Sequence, residues 1–557
     1  MSFRNIRIDR PLSPSCEGGE KEGTRDKLGP GDSRPIAFLI STTSYPRGVG
    51  GELGSAAYSY HFVVEALRPV LAEFGVLRTV DHPESRLAHA AAKAEAEGFR
   101  PVHLAINPLQ DVYLSPNLPN VVFPFWEFPE IPSRDLGNDA RQNWRRVVRG
   151  ADLVLTACDF TARAFRRAGT KAPVAVVPIP LLASAFELPD WDPAHSWTLV
   201  CRHEVLGSAI SHNEEVVADV APQGRTFLAA RAGLRRVAPW LSPATVGRIY
   251  AIKGGLSRVK GRNPGKLMFV AAREGYRKHV RRWLSPEALE KVTGAKVRAL
   301  AMVGREPLAV IDPLSPSGEL TLGGGPVYLT ILNFGDERKN FRDILTAFLD
   351  AFRERPDVTL VIKLVTNRVR EHDAMNKLRA AYRSLGVSHR CRVVVITEFL
   401  NEEQLTELHR VSAFYVNASH AEGACLPLMR SLAGGRPAIA PDHTAMADYI
   451  DDTVAFVPRS HPEPTHWPND PEKRLETSRY RLVWSDLRDA FLASDRVASR
   501  PEEHADLSRA CRDRMREYAS RDVASTALRA ALEKVADRAT LGMESVADSP
   551  FSVASDL

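Results

Sequence analysis

Residues 417–441, NASHAEGACLPLMRSLAGGRPAIAP, decide the fold because they join two strand-like runs through a turn and a short helix. The apolar run FYVN leads into the turn, and Pro427 stands where proline is favoured, in the first turn of a helix. Gly434 and Gly435 end that helix before the run PAIAP. The order strand, turn, helix, strand is typical of a doubly wound α/β domain.

The turn of this segment combines a carboxylate with backbone amides. Glu422 and Gly423 occupy the turn, and the helix start directs the amides of Ala424, Cys425 and Leu426 toward an anion. A sugar diphosphate needs both groups, because its phosphates are anionic and its hydroxyls donate hydrogen bonds. We therefore expect these five residues to bind a sugar diphosphate.

Strand-like runs alternate with helical patterns on both sides of a basic segment, which predicts two α/β domains facing a cleft. One series starts with IAFLIS and the other with VYLTIL. The predicted organisation is, in order, a disordered tail over 1–34, a first Rossmann-like domain over 35–188, a basic and mostly helical insertion over 189–320, a second Rossmann-like domain over 321–485, helices that pack back over 486–540, and a tail over 541–557.

The composition excludes several classes of protein. With 44% hydrophobic and 25% charged residues, the 557-residue chain is neither fibrous nor wholly disordered. Its first residues carry charge without an apolar stretch behind it, and no run of about 18 apolar residues follows. Six cysteines lie apart without a C-x-x-C pair, which fits a reducing compartment. We expect a cytoplasmic protein with neither a signal peptide nor a membrane span.

The positive charge of the chain is concentrated in one segment. Residues 202–305 contain 20 Lys and Arg against seven Asp and Glu, whereas the rest of the chain is net negative. Such a segment attracts polyanions. Interleaved aromatic and aliphatic residues favour an anionic membrane surface over nucleic acid, for which no recognisable module is present. A solvated helical surface is the alternative.

A glycine-bearing loop follows the first strand run. The loop, SYPRGVGGELGS, contains Gly50 and Gly51, which let the backbone approach a phosphate or a sugar. Its spacing fails the dinucleotide pattern G-x-G-x-x-G, because Leu53 occupies the third glycine position. A plain tight turn is an equal alternative.

Two further loops carry polar groups for the same cleft. FGDERKN ends in Arg338 and Lys339 at a helix start, where a guanidinium and an ammonium group suit a diphosphate. DHTAMADYID follows PAIAP and places His443 and Thr444 within reach of the ligand. Solvated surface positions are the alternative for the two basic residues and the histidine.

Together, the E-G-x-x-L-P turn, the K-N helix start and the A-x-G-x-P exit resemble glycosyltransferase family 4, retaining enzymes of the GT-B fold. The resemblance is close over 326–458 and looser over 35–182, where WEFPEIP and ADLVLTACDFTARAF resemble the family's N-terminal half. It implies that a sugar moves from a nucleotide diphosphate donor to a glycan or lipid-linked acceptor in bacterial polysaccharide or cell-envelope biosynthesis. The first domain would bind the acceptor and the second the donor.

The resemblance also implies roles for single residues. Glu422 matches the first carboxylate of the family's Glu-x7-Glu motif, which meets the donor sugar hydroxyls. Arg430 stands where the second carboxylate accepts hydrogen bonds from the ribose, and Phe334 stands where the family often has an arginine. Because a guanidinium has no acceptor, either the nucleotide is held differently or activity is reduced. Arg430→Glu is expected to tighten donor binding. His103 matches the family's N-domain histidine poorly.

In the implied reaction the departing diphosphate carries the developing negative charge. The amides of 424–426, together with Lys339 and Arg338, would stabilise that charge, and the leaving phosphate would take the acceptor proton. The resemblance therefore implies neither a metal ion nor an enzymic base.

Three alternatives stay open. Asp190 and Asp192 form an Asp-x-Asp pair typical of metal-dependent transferases, but they lie among prolines rather than at a strand end. Arg430 and the missing arginine favour a catalytically impaired relative with a binding role. The glycine loop is the one feature that favours a dinucleotide-dependent oxidoreductase.

Overall fold

The computed structural model describes residues 34–42, 57–135, 139–207, 317–366, 368–468, 470 and 473–533. The predicted tails lie outside these ranges, apart from Arg34, and so do Gly50 and Gly51 of the glycine loop. The predicted helical insertion is also undescribed between its two ends.

The first domain is a six-stranded parallel sheet in the order β2-β1-β3-β4-β5-β6. The order reverses between β1 and β3, which is the topological switch point of a doubly wound domain. Its elements are β1 (Ile36–Ser41), α1 (Ala57–Leu71), β2 (Gly75–Thr79), α2 (Pro83–Ala96), β3 (Arg100–Ala105), β4 (Asn120–Val122), α3 (Trp144–Val147), β5 (Leu153–Thr156), α4 (Asp159–Arg167) and β6 (Val174–Val176). Every residue of β1 is buried, as expected for a strand covered on both faces.

The second domain is an eight-stranded sheet in the order β14-β13-β12-β9-β10-β11-β7-β8. Its elements are β7 (Ser196–Leu206), β8 (Ser317–Gly323), β9 (Val327–Leu332), α5 (Phe341–Phe352), β10 (Thr359–Leu364), α6 (Arg368–Leu385), β11 (Arg392–Ile396), α7 (Glu402–Val411), β12 (Phe414–Val416), α8 (Leu426–Ala433), β13 (Ala438–Ile439) and β14 (Ala455–Phe456). The order reverses between β9 and β12, so the loops that follow these two strands lie at a second switch point.

Strands β7 and β8 correct the predicted boundaries of the insertion. Residues 196–206 and 317–320 were expected in a mostly helical linker, but they form an antiparallel ribbon that joins the sheet through β11. The physical reason is a period-two pattern: Leu199 and Cys201 are buried, whereas Val200 between them is exposed. The charged residues of the segment made this alternation hard to recognise in the sequence. Because β7 belongs to the second sheet, the second domain begins before the insertion.

A two-stranded hairpin, β15 (Ser460–His466) and β16 (Glu476–Leu482), follows β14 and reaches the first domain. Trp467 at its tip packs against Trp126, with ring centroids 5.5 Å apart. The Thr477 hydroxyl donates a hydrogen bond to a Glu130 carboxylate oxygen at 2.7 Å. The hairpin thus connects the two domains by side-chain packing and one polar contact.

The C-terminal helices are α9 (Trp484–Ala498), α10 (Pro501–Ala519) and a further helical stretch over 521–533. Helix α9 buries Phe491 in the core of the second domain, and α10 packs against α8. The stretch after α10 returns to the first domain, where Leu528 and Ala531 join its core. Two doubly wound domains with a C-terminal helix that crosses back form the GT-B architecture that the sequence resemblance implies.

No helix in the described ranges is both long and apolar enough to cross a membrane.

Candidate functional site

The switch point of the second sheet brings two predicted loops together. FGDERKN follows β9 and the Glu422 turn follows β12, and these two strands are hydrogen-bonded neighbours. Ligands of open α/β sheets bind at such a reversal, outside the carboxyl ends of the strands. The backbone joins the two loops directly, because the His420 amide donates to the Arg338 carbonyl at 2.8 Å.

An ion pair between Lys339 and Glu422 lies at the centre of this site. Lys339 Nζ donates to Glu422 Oε1 at 2.6 Å, and Glu422 is only 4% exposed. Burial alone raises the pKa of Glu422, but the Lys339 and Arg338 charges outweigh it and lower that pKa below its usual value. Burial likewise lowers the pKa of Lys339, and the Glu422 charge outweighs it, so the pKa is raised. Both groups are therefore charged at neutral pH.

Arg338 is held by several partners at once. Its Nε and Nη2 donate to the two carboxylate oxygens of Asp336, at 3.1 and 2.7 Å. Its Nη1 donates to the Ala421 carbonyl at 2.8 Å and lies 3.2 Å from Glu127 Oε1. A guanidinium has five N–H donors, so these contacts leave one for a ligand. Arg338 is thus placed to fix the loops more than to clamp a phosphate.

The loop over 443–448 supports the Glu422 turn. The Glu422 amide donates to Thr444 Oγ1 at 3.0 Å, and Thr444 adopts a left-handed backbone with φ of 55°. A threonine in that conformation is strained, which is common where a loop is held for function.

His443 is fixed as a neutral side chain. Its Nε2 lies 2.9 Å from the Ser419 carbonyl oxygen and must donate to it, so Nδ1 accepts from the Ser460 hydroxyl at 2.8 Å. Burial is the main reason that its pKa falls to about 4. The ring also stacks on Tyr480 of the hairpin. His443 therefore positions the loop, with both ring nitrogens engaged.

The start of α8 offers backbone donors beside the ion pair. The amides of Ala424, Cys425 and Leu426 have no hydrogen-bond acceptor within the part of the chain that the structure describes. Cys425 is the N-cap residue with a left-handed φ of 64°, and its thiol accepts from Asn417 Nδ2 at 2.9 Å. Burial raises the pKa of this thiol to about 12, so it stays protonated. The three amides form a group suited to an anion.

Arg430 has an anionic partner of its own. Its guanidinium lies 2.6 Å from Glu402 Oε1 and donates to Thr406 Oγ1 at 2.8 Å, and both residues belong to α7. The side chain therefore ties α8 to α7, and any role toward a nucleotide would require this pair to open. Arg430→Glu, which is expected to tighten donor binding, would also break these contacts.

Other residues singled out in the sequence lie elsewhere. His103 is fully buried, and its two ring nitrogens contact Ser41 Oγ and Asn120 Oδ1. Asp190 pairs with Arg512, and Asp192 accepts from the amide of Ala194, so the Asp-x-Asp pair serves the connector. Among the described residues, no group of three or more His, Cys, Asp or Glu side chains is arranged to hold a metal ion.

Two carboxylates of the site were missed in the sequence. Glu127 comes from the first domain and Asp336 from the loop after β9, and both contact Arg338. Glu127 lies within the WEFPEIP motif, where two carboxylates among apolar residues, Glu127 and Glu130, were the available signal. A hypothetical Cβ on Gly423 would lie 3.5 Å from the Trp126 amide nitrogen, so this motif touches the Glu422 turn.

Comparisons with known proteins give structural likeness alone. No protein-family model matches the sequence, and no curated protein matches it. A glycosyltransferase from Rickettsia africae superimposes with a TM-score of 0.44 at 9% identity, covering 90% of this chain and 99% of its own. Sucrose-phosphate synthase from Thermosynechococcus elongatus gives 0.43 at 11%, covering 93% and 100%. HepE from Anabaena, in complex with UDP and glucose, gives 0.40 at 10%, covering 92% and 100%. These likenesses do not assign the chain to a family.

The charge on Glu422 predicts how stability depends on pH. Because its pKa is lower in the folded chain than the usual 4.5, the carboxylate stabilises the fold above that value. This contribution is lost as pH falls through the folded pKa. We expect the urea midpoint of the wild type to drop more between about pH 6 and about pH 3.5 than that of Glu422→Gln.

The exposed Glu403→Gln variant on α7 is the matched control and should follow the wild type. Parallel pH curves for the wild type and Glu422→Gln would show that Glu422 is not charged as described.

The Arg430–Glu402 pair predicts a charge-swap result. Arg430→Glu places two carboxylates together and should lower the free energy of unfolding by about 1 kcal/mol, since the pair is partly exposed. The double variant Arg430→Glu/Glu402→Arg should recover most of that loss in a double-mutant cycle measured with urea. Strict additivity of the two changes would mean that the pair does not form.

Proposed function

We propose that the protein transfers a sugar from a nucleotide diphosphate donor to a hydroxyl acceptor. The observation that carries the proposal is the largely buried Lys339–Glu422 pair at a switch point, beside the amides of 424–426, which have no acceptor in the described part of the chain. A donor of this class presents a diphosphate to the cations and amides, and sugar hydroxyls to the carboxylate. The site thus matches both ends of one ligand.

Lys339 can bind a phosphate without leaving Glu422. An ammonium group has three donors, of which one is used by Glu422, and the Lys339 side chain keeps 20% of its surface exposed. Together with the amides of 424–426 it would stabilise the charge that develops on the departing diphosphate. Glu422 also receives a hydrogen bond from the Ser419 side chain, but a carboxylate has about four lone pairs and so keeps capacity to accept from a sugar hydroxyl. The pair can thus hold the donor across the bond that breaks.

We further propose a retaining, family 4 type reaction. The C1–O bond to the diphosphate breaks as a C1–O bond to the acceptor forms on the same face, and the acceptor proton passes to the leaving phosphate. His443 cannot supply a base readily, since both its nitrogens are engaged. The charges that the chain itself provides at the diphosphate make this route workable without a divalent metal.

A binding protein without turnover is the second candidate. Arg430, which is paired with Glu402, stands where the resemblance implies a ribose-binding carboxylate. A guanidinium group cannot accept a hydrogen bond from the ribose. Donor binding with no detectable transfer or hydrolysis would favour this candidate.

Variants of the ion pair test the proposed transfer. A thermal-shift screen of uridine, guanosine and adenosine diphosphate sugars first finds the donor, since saturation at about 100 times Kd stabilises by about 2.7 kcal/mol. We then expect Lys339→Met and Glu422→Gln each to lower kcat/KM about a hundredfold, which corresponds to about 3 kcal/mol of transition-state stabilisation.

Lys377→Met is the matched control, because Lys377 is exposed on α6 and pairs with Asp373 one turn away. Full turnover in both ion-pair variants would show that the site lies elsewhere. Stability measured alongside separates loss of chemistry from loss of fold.

We also propose that the basic segment adsorbs to an anionic membrane surface at the cytoplasmic face, where lipid-linked acceptors would be met. Of residues 202–305, the structure describes 202–207, and Arg202 is already paired with Glu371 and Glu398. The other Lys and Arg residues of 202–305 maintain the excess of positive charge in this segment. Each Lys or Arg near such a surface contributes about 1 kcal/mol.

Sedimentation with vesicles tests this adsorption. The bound fraction should rise with the content of anionic lipid and fall when salt is raised, because the attraction is screened. Equal binding to neutral and anionic vesicles, or binding to neither, would contradict the proposal.

A further inference from the structure

A carboxylate from the first domain reaches the site of the second. Glu127 Oε1 lies 3.2 Å from Arg338 Nη1, across the domain boundary. The backbone around it is in contact with the Glu422 turn, since a Cβ on Gly423 would come within 3.6 Å of Glu127 Cγ. Glu127 is therefore beside the group that would hold the donor sugar.

One oxygen of Glu127 is available to a ligand. The Arg338 contact uses Oε1, and the described residues make no hydrogen bond to Oε2. The side chain keeps 24% of its surface exposed, whereas that of Glu422 keeps 5%. A carboxylate oxygen accepts hydrogen bonds and donates none. Whatever binds Oε2 must therefore be a donor.

The charges around Glu127 limit that donor further. Asp336 and Glu422 are also carboxylates, and burial together with these like charges raises the pKa of Glu127 against the opposing charge of Arg338. A bound diphosphate would add more negative charge. Arg338 and Lys339 also face Glu127, but they are already paired with Asp336 and Glu422. Once a diphosphate is bound, an anionic group on the acceptor would therefore meet a net negative site.

We infer that Glu127 Oε2 binds a hydroxyl of the acceptor and selects acceptors whose reacting end is a neutral polyhydroxyl group, such as an uncharged sugar. This inference rests on the proposed transfer and adds the acceptor's chemistry to it. Glu127 is a specificity-determining residue in this role: it orients the acceptor, while the acceptor proton still passes to the leaving phosphate.

Two other polar residues of the first domain are not available for this role. His103 is fully buried with both ring nitrogens engaged. Glu130, three residues along the same motif, faces Thr477 of the hairpin instead of the site. Glu130 therefore supplies a matched control with the same side chain in the same segment.

The test compares Glu127→Gln with the wild type and with Glu130→Gln. Three quantities are measured for each protein: donor binding by calorimetry, hydrolysis of the donor without acceptor, and kcat/KM for neutral sugars and for uronic acids or sugar phosphates as acceptors. A lost hydrogen bond to a charged group corresponds to roughly a tenfold effect or more.

We expect Glu127→Gln to lower kcat/KM for neutral acceptors at least about tenfold, mainly through the acceptor KM. Its donor binding should not weaken, because removing a carboxylate also removes repulsion of the diphosphate, and its preference for neutral over anionic acceptors should shrink. Glu130→Gln should match the wild type in all three measurements.

Two results would overturn the inference. The first is an unchanged acceptor profile in Glu127→Gln while the wild type transfers sugar. The second is an equal loss of donor binding and acceptor use, which would make Glu127 part of the donor site. A wild type that binds and transfers no donor would instead overturn the proposed function, and this inference with it.

Discussion

The buried ion pair between Lys339 and Glu422 is the interaction on which the rest of the site depends. Neither charge would be stable there alone, because burial opposes the charged form of both side chains. Their pairing requires the loops after β9 and β12 to meet, and the order of strands places them at the switch point. The amides of 424–426 lie next to this pair in the chain, and Thr444 holds the Glu422 turn by accepting from its amide.

The same site is where the two domains meet. Arg338 links Glu127 of the first domain to the loops of the second, and the Asp159 amide at the start of α4 donates to Asp448 Oδ2 at 2.8 Å. A carboxylate at a helix N-terminus is favourable, so this second contact suits the interface. The hairpin and the C-terminal helical stretch add apolar contacts. A ligand bound here would touch both domains, which suits a reaction that joins two substrates.

Much of this could be predicted from local patterns. The glycine and proline positions in 417–441 predicted the turn and the helix that the structure contains. The features that the sequence analysis missed depend on long-range contacts or on sequence patterns that indicate two structures at once. The alternation in β7 was obscured by the charge around it. Glu127 has no motif spacing of its own, and the partner of Arg430 lies 28 residues away on another helix.

The most direct test of the account is a crystal structure with a bound nucleotide diphosphate sugar. We expect diphosphate oxygens within hydrogen-bond distance of Lys339 Nζ and the amides of 424–426, and a sugar hydroxyl on Glu422. A diphosphate bound elsewhere, with the Lys339–Glu422 pair and the amides of α8 untouched, would contradict it.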